Sequence, residues 1–252
     1  MVSRKNLASP AHCPRYRIEG AGPLLLYIAG LDGTGELLFK QMPTLTESYR
    51  VVTFRSREDS TFTYDDLTSD IAAIIEDLGA QSATILGESF GGTVALSFAL
   101  RYPRMVERLV VVNSFARFRG RLRIKLGAWL ASSLPFWLLW PVRRAACIVG
   151  LIVDGVRRED RRRFLQAIRS VRGEAYARRL KLIAEFDVAG RLPEIQSPTL
   201  FIAGRRDLLV PSAREARAMA SRMPNATVRV IEGAGHACLL GDRVCLAELL
   251  GD

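Results

Sequence analysis

Residues 82–92 constrain the fold of this chain more than any other stretch. Ala83–Leu86 is a short apolar run typical of a strand, and Thr93–Leu100 has the composition of a helix. Between them, residues 87–91 read GESFG, which matches the pattern G-x-S-x-G. In a strand–turn–helix setting this pattern is typical of a nucleophile elbow, whose sharp turn holds the serine in a strained conformation. The pattern therefore predicts Ser89 to be a nucleophile at a helix N-terminus, where developing negative charge is favoured.

Strands and helices alternate along the rest of the chain. The predicted strands are Arg15–Glu19, Pro23–Ala29, Arg50–Phe54, Glu107–Asn113, Pro198–Ala203 and Ala226–Ile231, and the predicted helices are Tyr64–Leu78, Ser212–Met223 and Ala237–Leu250. This alternation predicts an α/β fold, with a mostly parallel central sheet covered by helices on both faces. In such a sheet the functional site lies at the carboxyl ends of the strands, where Leu31, Ser89, Asp207 and His236 are expected.

A serine nucleophile requires a neutral imidazole to accept its proton and a carboxylate to orient that imidazole. The chain has two histidines. His12 precedes the first predicted strand, whereas His236 follows the last one directly. His236 is therefore the predicted base.

Asp207 is the predicted acid because it follows the strand Pro198–Ala203 and completes the order Ser, Asp, His. The other position for an acid, after the strand Glu107–Asn113, holds no carboxylate. Glu232 is nearer His236 in sequence, but it lies at the end of a strand and is the weaker candidate.

A tetrahedral oxyanion requires two backbone N–H donors. Phe90 follows the nucleophile and offers one, and Leu31 in the glycine-rich loop after Pro23–Ala29 is predicted to offer the second. That loop reads GLDGTG and lacks the G-x-G-x-x-G register of a dinucleotide site. The predicted chemistry needs no cofactor and no metal.

With these motifs in this order, the chain resembles the α/β-hydrolase superfamily over Leu24–Ala116 and Pro198–Leu250. The resemblance implies the same roles for the five residues already named. Many relatives have His-Gly before the oxyanion residue, where this chain has Ala29-Gly30. The loop GLDGTGEL also resembles that of the phytyl ester synthase and diacylglycerol acyltransferase-like esterases of plants and bacteria. That second resemblance implies acyl transfer to an alcohol as an alternative to hydrolysis.

The positive charge of the chain is concentrated in one segment. Residues 117–191 contain 18 Lys or Arg and 6 Asp or Glu, whereas the remainder contains 18 and 20. This difference indicates a nearly neutral core that is interrupted by a basic insert. The resemblance implies that the insert is a helical cap or lid at 115–190, between the two parts of the core domain, 1–114 and 191–252.

The predicted cap contains all three tryptophans. We predict that Trp129, Phe136, Trp137 and Trp140 line the roof of an acyl pocket. The alternative is peripheral contact with an anionic membrane, in which the aromatic residues face lipid and the arginines of 157–163 meet head groups. A transmembrane span is disfavoured because the uncharged run 126–142 has 17 residues and is broken by prolines, whereas spanning needs about 20.

These observations predict a carboxylesterase that hydrolyses a small-molecule ester through an acyl-enzyme on Ser89. An acyltransferase or lipase acting at a membrane, and a ligand-binding α/β-hydrolase of low turnover, are the alternatives. The basic segment carries no recognisable nucleic-acid module, so a nucleic-acid partner is not expected. The N-terminal segment has no apolar core typical of a signal peptide, and the four cysteines show no disulfide framework. A cytoplasmic location with reduced thiols is therefore expected.

Overall fold

The computed structural model describes residues 13–251, and seven strands in this range form one sheet. The strands are β1 (Tyr16–Glu19), β2 (Leu24–Ile28), β3 (Arg50–Phe54), β4 (Ala83–Glu88), β5 (Val106–Val112), β6 (Thr199–Gly204) and β7 (Ala226–Ile231). Their order is β1-β3-β2-β4-β5-β6-β7, and only the edge strand β1 is antiparallel to its neighbour among these pairs. The predicted mostly parallel sheet is confirmed.

Helices cover both faces of this sheet. They are α1 (Met42–Ser48), α2 (Tyr64–Asp77), α3 (Phe90–Arg101), α4 (Arg121–Ser133), α5 (Trp140–Val153), α6 (Arg158–Arg169), α7 (Gly173–Glu185), α8 (Ser212–Ala220) and α9 (Leu246–Gly251). Neighbouring residues of β4 point into different cores, because Ile85 packs with α2 and α3 whereas Leu86 packs with α1 and α9. Full burial on both faces explains why the inner strands read as continuous apolar runs.

The pairing register places the carboxyl ends of the inner strands side by side. Gly87 of β4 pairs with Ile28 of β2 and with Val111 of β5, and Val112 pairs with Ile202 of β6. The loops that follow these strands therefore emerge at one edge of the sheet, as expected for a parallel α/β site.

The prediction of one helix over Ala237–Leu250 is wrong. The segment instead forms a short 3-10 helix, Cys238–Leu240, and then α9. The amide of Gln41 separates the two, because its Nε2 donates to the carbonyls of Leu239 and Val244 and its Oε1 accepts from the N–H of Leu246. A buried side chain from a distant loop thus satisfies backbone groups that a continuous helix would pair internally.

Helices α4 to α7 lie between β5 and β6, in the segment predicted to be a cap. An isolated antiparallel β-bridge between Arg117 and Asp187 pairs the backbones at the two ends of this segment. Within residues 13–251 we find no helix with the length and apolar character needed to cross a bilayer.

Candidate active site

Ser89 lies between β4 and α3 with φ 54° and ψ −117°, a conformation that residues with a side chain seldom adopt. The turn is crowded. A Cβ on Gly91 would collide with the carbonyl of Ile28, and one on Gly87 would collide with the carbonyl of Gly91. Only glycine therefore fits at these two positions, which explains why the elbow pattern requires them.

The structure brings together the three residues predicted to act on the substrate. His236 Nε2 lies 2.9 Å from Ser89 Oγ, and His236 Nδ1 lies 2.7 Å from Asp207 Oδ2. Both distances are within hydrogen-bond reach, as proton transfer from a hydroxyl to an oriented imidazole requires. The arrangement can activate the Ser89 hydroxyl as a nucleophile.

The carboxylate of Asp207 is held from several directions. Besides His236, its oxygens accept hydrogen bonds from the N–H of Leu209 at 2.9 Å, the N–H of Val210 at 3.0 Å, and the Ser212 hydroxyl. Burial by itself would raise the pKa of Asp207, but the hydrogen bonds and the charge of His236 outweigh burial and lower it. Asp207 is therefore ionised and fixed in orientation at neutral pH.

The pKa of His236 is raised above its ordinary value. Burial disfavours the charged imidazolium, but the hydrogen bond and charge of Asp207 outweigh burial, with further contributions from Glu88 and Asp154. This environment stabilises the imidazolium that forms when the serine proton is transferred.

Glu88 is a partly buried residue beside the nucleophile that the sequence analysis did not single out. Its Oε2 accepts a hydrogen bond of 2.7 Å from the Tyr27 hydroxyl. Burial raises the pKa of Glu88 to about 7, although Tyr27 and His236 act to lower it. A charge that titrates near neutral pH therefore lies within the electrostatic reach of His236.

Two further residues hold the loop that carries His236. Asn113 Nδ2 donates to the carbonyls of Gly235 at 3.0 Å and His236 at 2.8 Å. Asp154, which directly follows α5, accepts hydrogen bonds from the N–H groups of Gly235 and Ala237 through its two carboxylate oxygens. The sequence offered one signal, since Asn113 ends a predicted strand, and none for Asp154.

The glycine-rich loop after β2 lies beside the nucleophile, as predicted for an oxyanion site. A Cβ on Gly30 would lie 3.5 Å from Ser89 Cβ, which places the next residue, Leu31, close to the elbow. Phe90 is the first residue of α3, and the N–H groups of a first helical turn have no intrahelical acceptor. The backbone here is compatible with the two predicted donors.

Glu232, the weaker candidate for the acid, is not part of this arrangement. Glu232 is exposed and lies 3.3 Å from Arg205 in a surface ion pair, so it does not compete with Asp207 for His236. His12 lies outside the described residues.

The structure departs from the predicted roof of aromatic side chains. Trp129 and Trp137 are 60% and 75% exposed, whereas Trp140 is half-buried with the Arg169 guanidinium over its ring. The side chain of Phe136 lies outside what the structure describes. Exposure of this size is typical of surface side chains rather than of a closed wall over an acyl chain.

A model of the Alpha/beta hydrolase family matches residues 25–244. The chain belongs to this family. Membership supports hydrolase activity, and the match includes the elbow, the acid loop and the histidine loop described above.

Several known proteins are similar to this chain in sequence or in structure. "Putative carbamate hydrolase RutD" of Stutzerimonas stutzeri is 26% identical, over 94% of this chain and 93% of its own length. A hydrolase from Pseudomonas aeruginosa has a TM-score of 0.81 at 23% identity, covering 94% of this chain and 91% of that one. The esterase EaEST from Exiguobacterium antarcticum has a TM-score of 0.81 at 19% identity, with 94% of each chain covered. The structural likenesses support the Alpha/beta hydrolase fold.

Proposed function

We propose that this member of the Alpha/beta hydrolase family is a carboxylesterase that forms an acyl-enzyme on Ser89. The observation that carries the proposal is the continuous chain of hydrogen bonds from Ser89 Oγ through His236 to Asp207, with distances of 2.9 and 2.7 Å. Three residues far apart in sequence meet in the geometry that nucleophilic acyl transfer requires.

In the first half-reaction, Ser89 Oγ attacks the ester carbonyl while His236 Nε2 accepts the hydroxyl proton. The carbonyl oxygen becomes an oxyanion that the N–H groups of Leu31 and Phe90 stabilise. His236 then returns the proton to the departing alcohol, and the acyl group remains on Ser89. Asp207 keeps the imidazole oriented and stabilises its charged form.

In the second half-reaction, His236 accepts a proton from water as the water oxygen attacks the acyl-enzyme. The second tetrahedral intermediate collapses, the carboxylic acid leaves, and Ser89 regains its proton. If an alcohol takes the place of water, the same steps give a new ester, which is the acyltransferase alternative. Product analysis in the presence of an added alcohol separates the two outcomes.

The first prediction is that Ser89→Ala abolishes turnover of p-nitrophenyl esters without unfolding the protein. Because the three residues work as a unit, the expected loss of kcat is on the order of 10⁴-fold or more. Turnover is measured at steady state across a series of acyl chain lengths, and folding is checked by circular dichroism.

A fluorophosphonate probe provides the control, since it should label the wild-type protein once, at Ser89. Labelling elsewhere, or near-normal activity of Ser89→Ala, would refute the assignment of the nucleophile. A single burst of product without steady-state turnover in the wild type would instead support the ligand-binding alternative.

Carbamate hydrolysis is a second candidate, favoured by the 26% identical relatives named as carbamate hydrolases. A carbamate also has a carbonyl that Ser89 could attack, so the proposed site chemistry does not distinguish the two substrate classes. Aryl esters and aryl carbamates of the same phenol separate them, because the leaving group is identical. A higher kcat/KM for the carbamate would favour this second candidate.

A further inference from the structure

Helix α4 presents its large apolar side chains to solvent. It buries Ala128 and Ala131, while Leu122, Leu126 and Trp129 are 83%, 57% and 60% exposed. A surface helix ordinarily does the reverse, with its large apolar side chains towards the core. The spacing of the three exposed residues places them along one face of the helix.

The 3-10 helix at 136–139 packs against α4 and extends this apolar face. Trp137 and Leu138 are 75% and 50% exposed, and Leu134 at the end of α4 is 37% exposed. We call these side chains the docking face: Leu122, Leu126, Trp129, Leu134, Trp137 and Leu138. It holds six of the eight large apolar residues that are exposed in the described part of the chain. Clustering of this kind marks an interaction surface.

All charged residues of the segment that carries the docking face are positively charged. Residues 117–153 contain seven Lys or Arg and no Asp or Glu. Of these cations, Lys125 and Arg144 are exposed on α4 and α5. Complementary charge predicts an anionic partner, and a second copy of the chain is disfavoured because it would bring two cationic surfaces together.

We propose that the docking face binds the surface of an anionic lipid bilayer. Tryptophan and leucine side chains partition into the boundary between head groups and acyl chains, while nearby lysines and arginines attract anionic head groups. Helices α4 and α5 have 13 and 14 residues, short of the roughly 20 that span a bilayer, so they lie along the surface. This inference is independent of the proposed ester hydrolysis.

The test uses the full chain carrying Ser89→Ala, so that lipid turnover cannot confuse binding. Vesicles of phosphatidylcholine alone are compared with vesicles rich in phosphatidylglycerol. All three tryptophans lie between positions 129 and 140, so intrinsic fluorescence reports on this segment. We expect co-sedimentation and a blue shift of emission with the anionic vesicles. Both should weaken between about 0.1 M and about 1 M salt, as the Debye length falls from about 10 Å to about 3 Å.

Two variants separate the apolar and charged contributions. Trp129→Ser combined with Trp137→Ser should weaken binding by about tenfold or more, because two large apolar groups no longer enter the interface. Lys125→Glu combined with Arg144→Glu should weaken binding to anionic vesicles and remove most of the salt dependence. The matched controls are Leu208→Ser and Arg104→Glu, and both should bind normally. Leu208 is 74% exposed and lies outside the docking face, and Arg104 is exposed at the amino end of β5.

Three outcomes would overturn the proposal. Equal binding to both vesicle types would exclude recognition of anionic lipid, and the absence of binding with an unshifted emission would exclude docking altogether. A concentration-dependent dimer that the double tryptophan variant dissociates would assign the face to a second copy of the chain. The fluorescence measurement on the Ser89→Ala chain stands even if one of the other variants folds poorly.

Discussion

At the scale of single residues, the site depends on unfavourable states that the surrounding structure maintains. Ser89 has φ 54°, and partial burial raises the pKa of Glu88 beside it to about 7. Strained backbone and perturbed carboxyl groups tend to cluster at functional sites, where they contribute to preorganisation. Glu88 does not touch Ser89 Oγ in the hydrogen-bond chain, so its influence passes through the charge of His236.

We therefore predict that Glu88→Gln moves the acid limb of the pH–rate profile to lower pH. Catalysis needs neutral His236, so activity falls as the pH drops through the pKa of His236. Ionised Glu88 raises that pKa, and a neutral amide removes this contribution. The measurement is kcat/KM from about pH 5 to about pH 8, the range in which histidine ordinarily changes its charge.

Glu232→Gln is the matched control for this prediction. Glu232 is an exposed glutamate paired with Arg205, and its replacement should leave the acid limb where it is. An unchanged profile in Glu88→Gln, or a shift to higher pH, would mean that the Glu88 charge does not reach the imidazole.

At the scale of elements, the cap segment and the catalytic loop are joined directly. Asp154 follows α5, yet its carboxylate accepts hydrogen bonds from the N–H groups of Gly235 and Ala237, which lie on either side of His236 in the sequence. Its backbone carbonyl also accepts a hydrogen bond of 3.3 Å from Arg243. The position of the imidazole thus depends on where α5 ends, and Asp154 acts as a positioning residue.

Asp154→Asn should lower kcat by about 10²-fold, because the amide keeps one acceptor but turns an NH₂ group towards a backbone N–H. Loss of the Asp154 charge should also move the acid limb to lower pH, since that charge raises the pKa of His236. A purely structural role would lower activity without moving the limb.

Asp160→Asn is the control for this element. Asp160 lies in α6 and pairs with Lys40 at 3.6 Å and with Arg157 at 3.3 Å, and neither partner belongs to the loop of His236. We expect its kcat and pH profile to match the wild type. Equal effects of the two substitutions would argue that any change in the cap disturbs the site.

At the scale of the whole molecule, a buried arginine of the cap segment forms hydrogen bonds with loops of the core. Arg179 of α7 is 1% exposed, and its Nη2 donates to the carbonyl of Arg57 at 2.9 Å. Its Nη1 makes longer hydrogen bonds of 3.4 Å to the carbonyls of Leu31 and Asp32. Burial lowers the pKa of Arg179 to about 10, and its Nε has no hydrogen-bond partner in the described part of the structure.

We predict that Arg179→Met reduces the free energy of unfolding by about 1–3 kcal/mol, because buried carbonyls lose their donor. Relief of burying a charge opposes this loss in part. Urea denaturation measures the change. Arg172→Met, at a side chain that is 72% exposed and paired with Glu58 at 3.7 Å, should change stability by no more than about 0.5 kcal/mol. If both variants unfolded at the same urea concentration, the contacts of Arg179 with the core would not contribute to the free energy of unfolding.

The sequence by itself determined where the strands lie and in which order the nucleophile, the acid and the base follow them. It also determined which three residues meet at the site. Burial on both faces makes the inner strands continuously apolar, and the elbow requires glycine at positions 87 and 91 because any Cβ collides with backbone there. Each requirement restricts the residue type at one position or along one continuous run, so it is visible in the sequence even where the contacting group is distant, as Ile28 is from Gly91.

Only the tertiary structure decided the features that depend on distant partners. Gln41 interrupts the last predicted helix from about 200 residues away, and Asp154 reaches the His236 loop from 81 residues away. The exposure of Trp129 is decided likewise, because α4 packs its small residues inward against α7. Composition reports that a side chain is apolar, but which surface covers it depends on how helices pack, and no short-range pattern encodes that.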